Sequence, residues 1–287
     1  PVALLVRNRD FANWTDVMGA APTENETPPV TRPRPGHADL AGALKYGHTD
    51  VRNVLERASA RDTVSRVAAG AVARRLLSEF GIRLASHTRQ IGSAVCDRRV
   101  DDFAEIEGIY NLDPATRCIC PETGVKMREL IDLARVNGDT LGGITEVVIH
   151  GAPPGLGSVM QSDRRLDSEL AAALMSIPSV KAVAIGDGIQ AASTPGSEFV
   201  DQIFPGAGGL ERRSNHAGGI EGGMSNGEDI VCRLHLKPIA TLGRPAASVD
   251  LADGRAAEAA SERSDVCVVP RAGTVAEAMA AFVLARA

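Results

Sequence analysis

Aromatic residues are scarce, with one Trp, two Tyr and six Phe among 287 residues. Ala, Val, Leu and Ile must therefore fill the core, and the chain lacks the material for aromatic platforms that stack single-stranded nucleic acid. Long apolar runs are missing too, since none approaches the roughly 20 residues that span a bilayer. The opening Pro1-Val-Ala-Leu-Leu-Val6 lacks the basic start of a secretory signal and runs straight into Arg7-Asn8-Arg9-Asp10. Positive charge is not in excess: the formal net charge of −5 argues against general DNA or RNA binding. It leaves room for an anionic small molecule, because local basic clusters decide that. Five scattered cysteines (Cys96, Cys118, Cys120, Cys232, Cys267) are too few and too irregular for a disulfide framework, so reduced thiols are expected. Cys118-Ile-Cys120 has no second pair to complete a zinc site, and His150, His216 and His235 lack metal-like spacing, so no metal ligand is assigned. These absences predict a soluble, cytoplasmic protein with no nucleic-acid or membrane partner.

What is present is an ordinary globular balance, 44% hydrophobic and 23% charged, over one domain spanning residues 1–287. Val2–Val6 reads as a strand, followed by a proline-bearing connector over residues 20–35. Residues 60–80 read as the longest helix, with Val64, Val67, Ala68, Ala71, Val72 and Leu76 on one apolar face. Ser59 is its expected N-cap and Gly81 its stop. Gly70 inside it costs helix propensity, which predicts that another backbone approaches closely there. Strands are expected over 82–91, 143–149, 180–185 and 228–236, with helices over 122–136 and 166–177. Residues 151–157 read as a loop and residues 191–213 as a mobile connector. Strands and helices mix without regular alternation, which favours α+β over a doubly wound sheet. The chain starts within the first strand and stops within a helix-like run, Thr274 to Arg286, so both ends read as cut.

Four segments carry chemistry. In Thr31-Arg-Pro-Arg-Pro-Gly-His-Ala-Asp39, prolines stiffen the presentation of two guanidinium groups and a glycine lets the chain turn before His37. Arg57, Ser59 and Arg61 crowd the start of the long helix, where free N–H groups favour an anion. Ser214-Asn-His-Ala-Gly-Gly-Ile-Glu-Gly-Gly-Met-Ser-Asn226 places four glycines within six positions, which implies close approach by a flat or phosphorylated group. Arg263-Ser-Asp265 pairs opposite charges. Each has a plain reading as well: a solvated proline loop, an ordinary cap, a flexible loop and a surface ion pair.

Taken together and in order, RPGHAD, ASARDT, LDSELAAALMSIPSVKAVAIGDG, NHAGGIEGGMSNG, LKPIAT and RSDVC closely resemble chorismate synthases, along the whole of residues 1–287. The resemblance implies an α+β layered sandwich of helices and mainly antiparallel sheets, a homotetramer, and a reduced FMN (FMNH2) cofactor. It implies a 1,4-elimination that turns 5-enolpyruvylshikimate 3-phosphate into chorismate and phosphate. Carried over by motif, His37 and Asp265 are the expected catalytic residues. The expected flavin contacts are Arg57, Ala58, Ser59, Pro178, Ser179, Gly222, Lys237, Pro238, Ile239, Ala240, Thr241 and Arg263. Arg34 and Arg61 are the expected substrate arginines. The family's Gly-Glu-Ser-His-Gly motif and a following arginine pair are absent, so residues 1–287 alone are expected to be inactive. The alternatives are a flavin oxidoreductase with net hydride transfer and a non-catalytic truncated homologue.

Overall fold

The computed structural model describes residues 2–15, 28–58, 60–100, 102–206 and 209–287. In chain order the first elements are α1 (Asp39–Tyr46), α2 (Arg52–Leu55), α3 (Ala60–Ser78), β1 (Arg83–Ile91) and β2 (Ala94–Val95). Next come α4 (Phe103–Leu112), α5 (Pro121–Val136), β3 (Gly143–His150), α6 (Leu166–Met175), β4 (Val180–Ile185) and α7 (Gly196–Phe199). Four short strands follow, β5 (Ile203–Gly206), β6 (Gly209–Arg212), β7 (Ile220–Glu221) and β8 (Met224–Ser225). The last elements are β9 (Ile230–Leu236), β10 (Ala247–Val249), β11 (Ala256–Glu258) and α8 (Val269–Leu284). Contacts divide the chain into two compact units, Pro1–Val64 with Ala240–Arg263, and Ser65–Ile239 with Ser264–Ala287.

The larger unit is built on a five-stranded sheet of order β2-β1-β3-β9-β4, in which every pairing is antiparallel. Ser86 lies opposite Val147, and Val147 opposite Cys232. Because side chains alternate along a strand, these three share one face, while Ala85, His87, Glu146, Val148 and Arg233 share the other. Helix α8 covers the first face: a Cβ built on its Gly273 would lie 2.3 Å from Ser86 Oγ. On the second face α4 lays Phe103 and Ile106 over Ala85 and Val148. Helices on both sides of an antiparallel sheet make this an α+β layered fold.

Helix α8 is apolar nearly all round and accordingly buried, with Pro270 in its first turn, where a missing N–H costs nothing. Helix α6 packs on both β4 and α8, adding Leu166, Leu170 and Leu174 to the main core. The antiparallel β7–β8 hairpin turns through Gly222 and Gly223, both at positive φ, the backbone that a two-residue type I′ turn demands. Among the described residues no helix is long and apolar enough to cross a membrane.

Several expectations need correction. Val2–Val6 is not a strand; these residues have no ladder partner and lie exposed. In α3 the stripe at Val64, Val72 and Leu76 is half-exposed, and the buried face is instead Gly70, Ala73 and Leu77. A helix of Ala, Val and Leu offers two apolar stripes, and the glycine chooses between them by admitting α8. Residues 191–213 carry α7, β5 and β6 in place of a featureless connector. The C-terminal helix begins five residues before Thr274, because Pro270 can open a helix as well as end one. Cys96 and Cys120 form a disulfide, against the expectation of reduced thiols, while Cys118, Cys232 and Cys267 are free. Cys96 directly follows β2 and Cys120 is the N-cap of α5, and their Cα atoms lie 6.3 Å apart. The expected N-cap Ser59 lies outside the described residues.

The close approach expected at Gly70 is present: a Cβ there would fall 2.5 Å from Ala278 Cα and 2.8 Å from its carbonyl oxygen. Gly108 in α4 has nothing within 4 Å of the same position. Gly70→Ala should therefore cost about 1–3 kcal/mol through overpacking, whereas Gly108→Ala should gain up to about 1 kcal/mol of helix propensity. Urea unfolding of the two variants should shift in opposite directions.

Candidate active site

In the smaller unit the RPGHAD segment folds onto itself ahead of α1. Gly36 adopts φ +76°, and the turn lets the His37 N–H donate to the Arg34 carbonyl at 3.3 Å. Asp39, the first residue of α1, is fully buried. Its carboxylate accepts from the Arg34 N–H at 3.1 Å, from Arg34 Nε at 2.9 Å and from Arg34 Nη2 at 3.2 Å. It also accepts from His37 Nδ1–H at 2.5 Å. Burial alone would raise the Asp39 carboxyl, but the hydrogen bonds from His37 and Arg34 outweigh it and hold it well below the ordinary carboxylate range. The donor-only Arg34 Nη2 also stands 3.1 Å from His37 Nδ1, but the acceptor-only carboxylate is nearer, and toward Asp39 Nδ1 donates, which leaves Nε2 out of that bond.

Arg34 is itself buried and its donors are committed: Nη1 also reaches Thr241 Oγ1 at 2.9 Å and Glu262 Oε2 at 3.3 Å. The expected substrate arginine therefore acts first as the clamp that orients His37 and Asp39. The same unit holds Arg57 and Ala58 in the turn after α2, Arg61 at the start of α3, Ala240, Thr241 and Arg263. Arg61 Nε donates to Glu56 at 3.4 Å, and Ala240 lies beside Gly36.

The remaining expected residues belong to the larger unit. Pro178 and Ser179 form the corner between α6 and β4, with Ser179 at φ +74°, rare for a residue with a side chain. The Ser179 carbonyl accepts the Lys237 N–H at 2.9 Å, so these two flavin-contact expectations meet. Partial burial and the nearby Lys181 ammonium lower the Lys237 pKa. Pro238 and Ile239 follow, and the Ile239 carbonyl accepts from Thr140 Oγ1 at 2.7 Å. Gly222 sits in the β7–β8 turn. Asp265 is exposed and pairs with Arg271 at 2.5 Å.

Sequence reasoning passed over Asp39, although its place two residues after His37 in a proline-stiffened segment was the available signal. It also missed a charged chain on the α4 face of the sheet. His87 Nε2–H and Arg233 Nε donate to the two oxygens of Glu146 at 2.8 and 2.5 Å. Arg233 Nη1 continues to Asp187 at 2.8 Å, which also takes Arg99 and His216 Nδ1–H. Burial would raise the Glu146 carboxyl, but these partners hold it down at about 2. Burial and the same Glu146 charge push the adjacent Cys232 thiol up to about 12.

An α+β fold that fixes an imidazole beside a buried carboxylate and a guanidinium has the parts that a proton-transferring enzyme uses. The sequence profile of chorismate synthases matches residues 1–287. A chorismate synthase of Geobacillus thermodenitrificans is 50% identical over 293 residues, covering 100% of this chain and 75% of the relative. One from Desulforudis audaxviator is 53% identical over 291 residues, covering 100% and 74%. A crystal structure of chorismate synthase superposes with a TM-score of 0.72 at 39% identity, covering 86% of this chain and 69% of that one. The chain belongs to the chorismate synthase family. It is thereby a lyase of the shikimate pathway with a flavin cofactor.

Asp39→Asn should lower stability by roughly 3 kcal/mol at neutral pH, because it removes the buried counter-ion of Arg34 and leaves only the more exposed Glu262. A carboxyl held below its unfolded value stabilises above that value and loses the effect as pH falls through the folded one. The gap between variant and parent should therefore close in strongly acid solution, as followed by urea midpoints against pH.

Proposed function

We propose that the chain converts 5-enolpyruvylshikimate 3-phosphate to chorismate and phosphate with reduced FMN, acting as a homotetramer in the cytoplasm. The elimination removes a ring proton and the phosphate across four carbons and leaves a second ring double bond. The protein must hold a multiply anionic substrate, move protons and exclude water. The observation that best supports this reading is the His37–Asp39–Arg34 cluster. Asp39 holds the imidazole ring in place, so in this reading Nε2 takes up or delivers a proton without rearrangement. Asp265 is the second proposed proton carrier.

The flavin, when bound, supplies the electron chemistry that the side chains lack. The residues present suit it in kind: the Ser179 carbonyl accepts the N–H of Lys237, which Pro238 and Ile239 follow, and this brings two of the proposed flavin contacts together. Arg57, Arg263 and the Ala240–Thr241 backbone complete the proposed cofactor set, with Arg61 assigned to the substrate.

Chorismate and phosphate should appear in equal amounts with no net use of reductant. Reductant consumed in step with turnover would instead identify an oxidoreductase. In a catalytically competent preparation, His37→Ala should lower turnover by about 10²–10⁴ while leaving the fold intact. Steady-state rates within a few-fold of the parent would remove His37 from the mechanism.

A further inference from the structure

The smaller unit holds a cavity of about 690 Å³, the size of a small-ligand site. One side is the segment leading into a 3₁₀ turn at Phe11–Asn13, which contributes Arg7, Arg9, Phe11 and Trp14; the other includes Glu56 and Arg61. Asp10 organises the first side. It accepts from Asn13 Nδ2 at 2.9 Å and from Trp14 Nε1–H at 2.8 Å, which locks the indole in place.

The charge balance is uneven. Three guanidinium groups face two carboxylates, and both carboxylates are already engaged, Asp10 by Asn13 and Trp14, and Glu56 by Arg61. Among the described residues neither Arg7 nor Arg9 has an acidic partner. Arg34, by contrast, is consumed within its own cluster. The unit therefore needs cations other than Arg34 to hold an anionic substrate, and the cavity supplies them beside Arg61. Planar guanidinium forks suit phosphate and carboxylate oxygens, and a fixed indole gives a six-membered ring an apolar wall.

We propose that this cavity is a seat for the organophosphate substrate, with Arg7 and Arg9 joining Arg61 on its anionic groups and Trp14 as its wall. The proposal rests on the reading of the chain as a chorismate synthase, and it adds Arg7, Arg9 and Trp14 as binding residues.

Trp14 is the only tryptophan in the chain, so its emission reports on this cavity alone. The test titrates flavin-free protein with 5-enolpyruvylshikimate 3-phosphate. Equilibrium dialysis measures total binding, tryptophan emission reads the cavity, and FMN affinity is measured separately. The expected result is a saturable emission change at the dialysis Kd, reversed by inorganic phosphate. Arg7→Gln and Arg9→Gln should each weaken substrate binding about tenfold while FMN affinity holds, which shows the variants folded. Substrate that binds by dialysis with silent emission and no effect of either substitution overturns the cavity assignment and leaves the enzymatic reading standing. FMN affinity that falls in place of substrate affinity also overturns it, by assigning the cavity to the flavin phosphate. No substrate binding in dialysis overturns the enzymatic reading itself, and this proposal with it.

Discussion

A single buried carboxylate organises the smaller unit. Asp39 has no access to water, so its charge is tolerable only while Arg34 and His37 both donate to it. Those bonds fix more than a side chain. Arg34 continues to Thr241 and Glu262, which ties residues 34–39 to a segment two hundred positions later. The same bonds hold the ring of His37, the proposed proton carrier. Stability and reactivity share their parts here, and His37 is prepared for proton transfer by interactions that fold the chain.

The larger unit solves a similar problem twice, once on each face of its sheet. On the α8 face the buried Glu277 accepts from Ser86 Oγ–H at 2.6 Å and pairs with Arg74 of α3, whose Nη2 also reaches the Leu84 carbonyl. One carboxylate thus joins two helices and a strand at the place where Gly70 lets α3 and α8 touch. On the α4 face Glu146 collects His87 and Arg233 from the strands on either side. Apolar alternation opposes a one-residue slip, which would move every side chain to the other face, but it opposes a two-residue slip less. A buried charge that is satisfied in only one register penalises every other pairing.

The elements were readable where periodicity and punctuation agreed. Pro121 opened α5 and Gly138, at φ +64°, followed its end; Val180–Ile185 emerged with the bounds its β-branched run suggested. The face of α3 was not readable, because Ala and Val populate both sides and only the partner helix decides between them. Val2–Val6 misled for a related reason: a β-prone run becomes a strand only when something pairs with it. The site was legible as motifs and not as geometry. RPGHAD announced His37, but the hydrogen bonds that withdraw Arg34 into the interior exist only after residues 241 and 262 return to it. The Cys96–Cys120 bond was hidden likewise, since proximity comes from where β2 ends and α5 begins in the fold and not from spacing.

That withdrawal of Arg34 has a chemical consequence. A substrate carrying a phosphate and two carboxylates meets a site whose most deeply placed guanidinium is already neutralised by Asp39 and Glu262. Were Arg34 free, the substrate's charge would have to compete with Asp39 for it, and any movement of the guanidinium would strip donors from the carboxylate that holds His37. Separating the work avoids the conflict. Buried arginine and carboxylate hold the imidazole, while in the proposed assignment half-exposed guanidinium groups such as Arg61 are the ones that meet the anion. Exposed cations lose little on releasing a charged product, and phosphate must leave at every turnover. On that assignment, tight and permanent electrostatics surround His37, and looser, exchangeable electrostatics are left for the substrate.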